Sequence, residues 1–386
     1  MKTKDFSFEL PEELIAQYPT DRREDARLLV VDRSTQTLTH SFVRDLPSHV
    51  PGDSVIVFND SKVRKARLHA APLEGGPPVE FLLLRPEPGF RVWEAMVRRA
   101  KRQKPGKRYR FPGAVTGEIA AAADGAVRIV AFDRPVDDTY LETHGAMPLP
   151  PYIKRESETA DDERYQTVYA KAYGSVAAPT AGLHFTEELL DRLKEMGHTI
   201  ATVTLHVGLG TFSPVRTESI EDHEMHTEEY EIDDETSATL TAAKQDGKRI
   251  LAVGTTSVRT LESAAVESGG KTVIPAVRSS TGIFIYPPYT FRAVDCLFTN
   301  FHTPESTLLM LVGAFAGLDL IKRAYAEAVR QRVRPERVLD GRVVRHVDGL
   351  GDRAGDEALR GRHHVDMRLD REEAPALAPA GVGAVE

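Results

Sequence analysis

Two textures alternate along the chain. Between residue 63 and about residue 143 the apolar positions fall in short runs, at 79–84, 91–97 and 126–130, punctuated by glycine, proline and aspartate. Runs of that length between turn-forming residues predict the strands of a small all-β barrel or sandwich. After Pro150 the period lengthens. Thr186 is placed to cap a helix whose Leu189, Leu190, Leu193 and Met196 share one face, and Gly197 is placed to end it. Residues 199–207 read as a buried strand, 237–245 as a helix and 249–253 as a strand, with Thr256 or Ser257 capping a further helix that runs to Val266. Strands at 28–32 and 53–58 are expected to join the same sheet. The fold class is therefore an α/β main domain with an inserted small all-β barrel-like domain, followed by an irregular C-terminal tail. Residues 1–62 and 150–330 make a discontinuous α/β domain, 63–149 the insertion and 331–386 an atypical, disordered tail. Beyond Arg330 the chain has no Lys, Ser, Thr, Ile, Asn, Phe, Tyr or Trp and little with which to build a core.

Alternating strands and helices gather ligands at strand carboxyl ends, and the loops at those junctions are unusual. The run from Gly174 to Phe185 holds Ala177, Ala178, Ala181 and Gly182 and ends on His184 and Phe185. Small residues let backbone lie against a ligand. Three further stretches share this character: His206 to Phe212, with Gly208 and Thr211; Gly254 to Arg259, with Thr255, Thr256 and Ser257; and Asn300 to Pro304, with His302. Any single such run is more simply a tight turn, whereas four of them read as one site assembled from several loops. Asn59 and Asp60 begin another loop of this type, whose plainer reading is an Asx turn.

Composition narrows the choices. The net charge of −8 opposes nucleic acid as a whole, so any RNA contact must rest on a local patch. Arg98, Arg99, Lys101, Arg102, Lys104, Lys107, Arg108 and Arg110 form such a patch, in a stretch without Asp or Glu. Pro105-Gly106 interrupts it as a turn would, so the basic side chains are expected to project from a β-hairpin. The single cysteine, Cys296, lies in an apolar run and is expected in the core of a protein kept in a reducing cytoplasm. Neither a signal peptide nor a membrane-spanning run is evident. His223 and His226 are read as surface residues rather than metal ligands, and no metal is expected.

The four loops, in this order, resemble the S-adenosylmethionine:tRNA ribosyltransferase-isomerases of queuosine biosynthesis. The likeness begins at Phe8-Glu9-Leu10-Pro11 and continues through Val57-Phe58-Asn59-Asp60-Ser61-Lys62, Pro148-Leu149-Pro150-Pro151-Tyr152-Ile153, Glu163-Arg164-Tyr165-Gln166-Thr167-Val168-Tyr169 and Asn300-Phe301-His302. It stops near Arg330, where a Ser-Tyr-Gly-Asp-Ala-Met type of motif is missing. The end is accordingly read as divergent or frame-shifted, and a catalytically impaired protein that still binds tRNA and S-adenosylmethionine is the alternative reading. The resemblance implies transfer and isomerisation of the ribosyl moiety of S-adenosylmethionine onto 7-aminomethyl-7-deazaguanine at the tRNA wobble position. The product is epoxyqueuosine-tRNA, with adenine and methionine released. S-adenosylmethionine is then a co-substrate rather than a bound cofactor, and the other partner is tRNA with a GUN anticodon. The protein is expected to be a cytoplasmic monomer without membrane contact.

Such chemistry needs proton traffic, for which histidine is suited near neutral pH. His184, His302 and His206 are the catalytic candidates. His184 stands first, because a helix starting beside it would keep the ring neutral. Ala178, Thr180, Gly182, Gly208, Thr211, Arg216, Thr255, Thr256, Ser257, Arg259, Asn59 and Asp60 are the substrate-binding candidates, with Arg259 or Arg216 as partner for the methionine carboxylate or an RNA phosphate. Arg98, Arg99, Lys101, Arg102, Lys104, Lys107 and Arg108 are the tRNA-binding candidates. An ordinary methyltransferase is disfavoured, since no glycine-rich strand-to-helix fingerprint is followed by an acidic ribose-binding residue.

Overall fold

The computed structural model describes residues 1–123, 125–208, 210, 215–331 and 341–345, the last as backbone only. The chain opens with β1 (Arg27–Asp32) and its antiparallel partner β2 (Thr37–Phe42), then enters the heart of a sheet with β3 (Val55–Asn59). A short strand, β4 (Ser61–Val63), leads away from it. Six strands follow and close on themselves: β5 (Arg67–Pro72), β6 (Val79–Pro86), β7 (Val92–Val97), β8 (Arg108–Arg110), β9 (Thr116–Ala122) and β10 (Val127–Phe132). Helices α1 (Asp138–His144) and α2 (Thr159–Arg164) and strand β11 (Ala172–Ser175) bring the chain back, with β11 lying parallel to β4.

From there strands and helices alternate. They are α3 (Glu187–Glu195), β12 (Thr199–Leu205), β13 (Glu228–Ile232), α4 (Asp234–Gln245), β14 (Ile250–Val253) and α5 (Thr255–Ala264). A small pair, β15 (Val266–Ser268) and β16 (Lys271–Val273), precedes β17 (Val277–Thr281), β18 (Cys296–Asn300), α6 (Thr307–Ala316), α7 (Leu318–Arg330) and β19 (Gly341–Arg345). Among the described residues the main sheet runs β17-β13-β12-β3-β14-β18-β19-β1-β2, with β12, β3, β14 and β18 mutually parallel.

Side-chain period explains the layers. In β3, Val55 and Val57 point to one face and Ile56 and Phe58 to the other, as strand geometry requires. The first face packs against α4 to α7 and the second against α3 and the turn holding Val43 and Leu46. Strands covered on both faces read as continuous apolar runs, and β3, β14 and β18 are buried at every position. Cys296 lies in the second layer as a core residue. The barrel has its own core of rings: Phe81 meets Tyr109 and Phe111 edge-on at 5.0 Å, and Phe111 meets Phe132 at 5.1 Å. Glycine is required at 117, where a Cβ would stand 2.7 Å from the Phe111 ring.

Three expectations change. Thr186 does cap α3, accepting a hydrogen bond from Leu189 N at 3.1 Å, but Met196 turns out of the packed face and is 54% exposed. Neither Thr256 nor Ser257 caps α5. The cap position is Gly254 at φ +88°, a conformation open to glycine, and the Ser257 hydroxyl donates back to the Val253 carbonyl at 2.8 Å. Residues 341–345, placed by sequence in an irregular tail, form β19, which bonds parallel to β1 and antiparallel to β18. The rest of the 331–386 segment, apart from Gln331, lies outside the described residues.

Among the described residues, strand β19 is the only link in this ladder between the β1–β2 hairpin and the parallel strands. A Val343→Pro change removes an N–H from it and blocks strand continuation. We expect it to lower unfolding stability by about 2 kcal/mol, read from the midpoint of urea denaturation. An unchanged midpoint would mean that β19 contributes nothing to the sheet.

Candidate functional site

Because β12, β3, β14 and β18 run parallel, their carboxyl ends open on one edge of the sheet, the place where such sheets bind ligands. Asn59 and Asp60 follow β3, His206 follows β12, Gly254 leads into α5 after β14, and Asn300 with His302 closes β18. The small-residue run 174–185 folds over this edge. A Cβ on Gly254 would meet Ala181 at 3.6 Å, and Asn300 Nδ2 donates to His184 Nε2 at 2.8 Å. Four loops far apart in sequence are thus brought together.

The three histidines differ in what surrounds them. His184 is buried and closes the short 3-10 turn Thr180–His184, two residues ahead of the α3 cap, so it sits at a carboxyl end and not at the amino end of a helix. With Asn300 donating to Nε2, the neutral ring carries its proton on Nδ1. His302 Nε2 shares a 3.1 Å hydrogen bond with the Thr299 hydroxyl, and its backbone N–H donates to the Tyr325 hydroxyl at 2.9 Å. His206 stands against the Gly174 backbone, where a Cβ would come within 2.4 Å of Nδ1. Its Nδ1 is buried and finds no hydrogen-bond partner among the described residues. Burial, reinforced by the Arg64 guanidinium, pushes its pKa below the ordinary histidine value.

Asp60 lies in the electrostatic field of His206. Its carboxylate accepts from the Thr204 hydroxyl at 2.7 Å, while burial raises its pKa. Asn59 is fully enclosed, and its amide is committed to backbone: Nδ2 donates to Leu205 O at 3.0 Å, and Oδ1 accepts from Ser61 N at 3.1 Å and Leu205 N at 3.0 Å.

Several cradle residues serve packing. Ala178 is buried with Val63, Met147, Leu149 and Tyr165. Gly182 faces Tyr169, whose hydroxyl would stand 1.9 Å from a Cβ there. Gly208 has no such neighbour; its N–H donates to Glu228 Oε1 at 2.8 Å. Arg259 Nη1 pairs with the buried Glu228 carboxylate and Nε donates to Ile283 O, while Nη2 is enclosed without a partner among the described residues. Thr255 is buried and the Thr256 hydroxyl is enclosed without a partner among the described residues, so the start of α5 retains polar groups facing the edge. Arg216 is exposed and forms no ion pair among the described residues, and Thr211 lies outside them. Among the described residues no three His, Cys, Asp or Glu side chains are placed to hold a metal ion.

Beside His184 lies a cavity of about 50 Å³ that sequence reasoning missed. Thr180, Leu183 and His184 form one wall; Arg23, Arg164 and Tyr165 form another. The Arg-Tyr pair belongs to the Glu163-to-Tyr169 motif, but nothing local signals its meeting with Arg23.

The basic stretch lies on the barrel. Arg98, Arg99, Lys101, Arg102, Lys104 and Arg108 are exposed, Lys107 is half-buried, and none forms an ion pair among the described residues. It is not a hairpin. β7 pairs with β6 and β10, whereas β8 pairs with β5 and β9, so the stretch is a connection across the barrel end. Arg128, itself buried, fixes it by donating to Gln103 O at 2.9 Å and to Ala100 O, while Tyr109 donates to the Gln103 side chain.

An α/β platform with its loops gathered at the parallel strand ends, joined to a barrel bearing free cations, fits an enzyme acting on a polyanion. Residues 3–335 match the family described as queuosine biosynthesis protein, and the chain belongs to that family. It is 48% identical over 337 residues to the S-adenosylmethionine:tRNA ribosyltransferase-isomerase of Treponema denticola, covering 86% of this chain and 96% of the relative. The protein of that name from Natranaerobius thermophilus is similar to the same extent. The crystal structure of an S-adenosylmethionine tRNA ribosyltransferase from Thermotoga maritima is 33% identical, covers 88% of this chain and 99% of its own, and superposes with a TM-score of 0.49.

Gly182 separates packing from ligand approach. Gly182→Ala drives a methyl into the Tyr169 hydroxyl, and overpacking of this kind costs about 1–3 kcal/mol. Adding Tyr169→Phe should recover part of that loss in a thermal melt, the hydroxyl being the nearest obstacle and the Thr167 methyl, 2.8 Å from the new Cβ, remaining. A Gly182→Ala chain of unchanged melting temperature, with donor binding abolished, would return Gly182 to the ligand.

Proposed function

We propose that this chain transfers and isomerises the ribosyl moiety of S-adenosylmethionine onto 7-aminomethyl-7-deazaguanine at the tRNA wobble position, giving epoxyqueuosine-tRNA and releasing adenine and methionine. The observation that carries the reading is the meeting of His184, His206, Asp60 and Asn300 at the carboxyl ends of the parallel strands, under a run of small residues. Relatives 48% identical over most of the chain favour the catalytic reading over an impaired binding protein. The division of labour follows the architecture: residues 1–62 and 150–330 make the catalytic domain, and 63–149 the inserted unit that meets RNA.

The donor's sulfonium draws electron density from the neighbouring ribose carbon and makes its C–H acidic. A neutral imidazole can take that proton. His206 suits the task better than His184, because its lowered pKa keeps the ring neutral at pH 7 and, with Nδ1 enclosed against Gly174, its Nε2 takes no hydrogen bond among the described residues, whereas His184 Nε2 is held by Asn300. Asp60 beside it stabilises the imidazolium that forms. His184, with its proton on Nδ1, is oriented by Asn300 as a hydrogen-bond donor to the reacting ligand. The electron pair left on that carbon opens the ribose ring to a vinyl sulfonium, and the released ring oxygen becomes a carbonyl as adenine departs with its bonding pair and takes a proton. The deazaguanine amine adds to the alkene and gives up a proton, the resulting ylide carbon closes on the carbonyl, and the alkoxide so formed displaces methionine as the epoxide closes. Thr180, Thr255 and Thr256 line the edge where the donor lies.

His206→Asn should lower single-turnover product formation about a hundredfold, as read by nucleoside mass spectrometry. The wild-type rate should fall as pH drops through the depressed histidine pKa, below the ordinary value near 6.5, because only the neutral ring accepts a proton. That limb should vanish in the variant. Retention of full rate by His206→Asn, with loss in His184→Asn, would move the base to His184.

Charge reversal tests the RNA surface. A triple Lys101→Glu, Arg102→Glu, Lys104→Glu chain should bind tRNA more weakly, with a log–log salt dependence shallower by about 1–3. Equal affinity and slope would remove this surface from the interface.

A further inference from the structure

The cavity beside His184 has an unbalanced lining. Arg23 and Arg164 lie close enough that each guanidinium is felt by the other, yet neither has a carboxylate partner among the described residues. Both are held in place by backbone instead. Arg23 donates to Leu183 O at 3.0 Å and Glu163 O at 2.9 Å; Arg164 donates to Asp21 O at 2.8 Å and to Thr20 O. The acidic neighbour, Asp161, is already neutralised by Arg155 through two bonds of 2.6 and 2.7 Å. Burial and Arg164 together lower the Arg23 pKa, and the field of the Glu163 carboxylate, which makes no ion pair with it among the described residues, only partly offsets them.

The leftover hydrogen-bonding groups have one sign as well. The Arg164 Nε–H is buried with no acceptor among the described residues. So is the O–H of Tyr165, a residue only 7% exposed. Burial holds that phenol protonated by raising its pKa well above the usual value, against the opposing pull of the Ala178 backbone. Buried donors without acceptors are costly, and two of them beside two unpaired cations define a place for an anionic acceptor. A carboxylate, with two oxygens in one plane, suits donors grouped in this way.

We propose that Arg23, Arg164 and Tyr165 hold the α-carboxylate of the methionine portion of S-adenosylmethionine, an assignment that rests on the reaction given above. Arg259, by contrast, already has the Glu228 carboxylate as its counter-charge. Leu183 O ties Arg23 to the cradle itself, so anchoring the carboxylate here sets the donor's sulfonium and ribose along the run that ends at His184.

The test compares S-adenosylmethionine with its decarboxylated analogue by titration calorimetry on the full chain. Wild type should prefer the carboxylated donor about tenfold or more, since hydrogen bonds to a charged group are the strong ones. Arg164→Gln should erase that preference by weakening only the carboxylated donor. Because Arg164 also ties down residues 20 and 21, Tyr165→Phe provides a second variant that keeps the ring and removes only the hydroxyl; it should cut the preference severalfold. Folded variants that keep the full preference would overturn the assignment. So would variants that lose tRNA affinity alone, which would mark a phosphate site. Wild type that releases adenine without discriminating between the two donors would overturn the carboxylate pocket and leave the reaction standing. Failure of wild type to release adenine from any donor would overturn both.

Discussion

The Asn59 side chain is the point on which the site's geometry turns. Parallel strands that end together leave backbone groups without ladder partners, and in a dry interior each such group costs about 1–3 kcal/mol. Asn59 answers three of them, the N–H and C=O of Leu205 and the N–H of Ser61. It thereby joins the end of β3 to the end of β12 and starts the chain toward the barrel in one stroke. Asp60 and His206 are the next residues on the two strands it joins. The Ser175 hydroxyl extends the arrangement, donating to Ser61 and accepting from Val207 N at 2.9 Å, so the returning β11 is fastened at the same place.

The barrel end and the sheet edge present their charge by different physics. The sheet edge is enclosed and uses few, directed groups whose pKa values are moved by burial, as with His206 downward and Asp60 upward. The barrel end presents exposed cations whose effect is long-ranged and screened by salt. A chain of net charge −8 can still meet a polyanion when its positive charge is concentrated in this way.

Much of this was legible in the sequence, and the failures share a cause. α3 was readable because cap, apolar face and terminating glycine are all local. The start of α5 was misread because Thr255, Thr256 and Ser257 all resemble caps, while the deciding fact is the dihedral that Gly254 adopts. The turn chemistry of Pro105-Gly106 is real, but barrel closure gives β8 partners other than β7. Glu228, the counter-charge of Arg259, lies on another strand, and nothing near either residue announces the pair. The four loops of the site could be named but not ranked: which histidine keeps an unengaged nitrogen depends on Asn300 and Gly174, far off in sequence. The cavity of Arg23 and Arg164 was invisible for the same reason.

The position of β19 bears on how the molecule comes together. Strands formed from the first residues of the sheet, β1 and β2, reach their neighbours only through a strand supplied from beyond α7. Contacts so distant along the chain close slowly, since loop entropy must be overcome before any pairing rewards it. Until then β1 and β18 each present a bare edge, the kind that recruits strands from other molecules. The edge built from the carboxyl ends of β3, β12, β14 and β18 needs none of this closure to form. Assembly of that edge and protection of the chain from aggregation are therefore separate events in time.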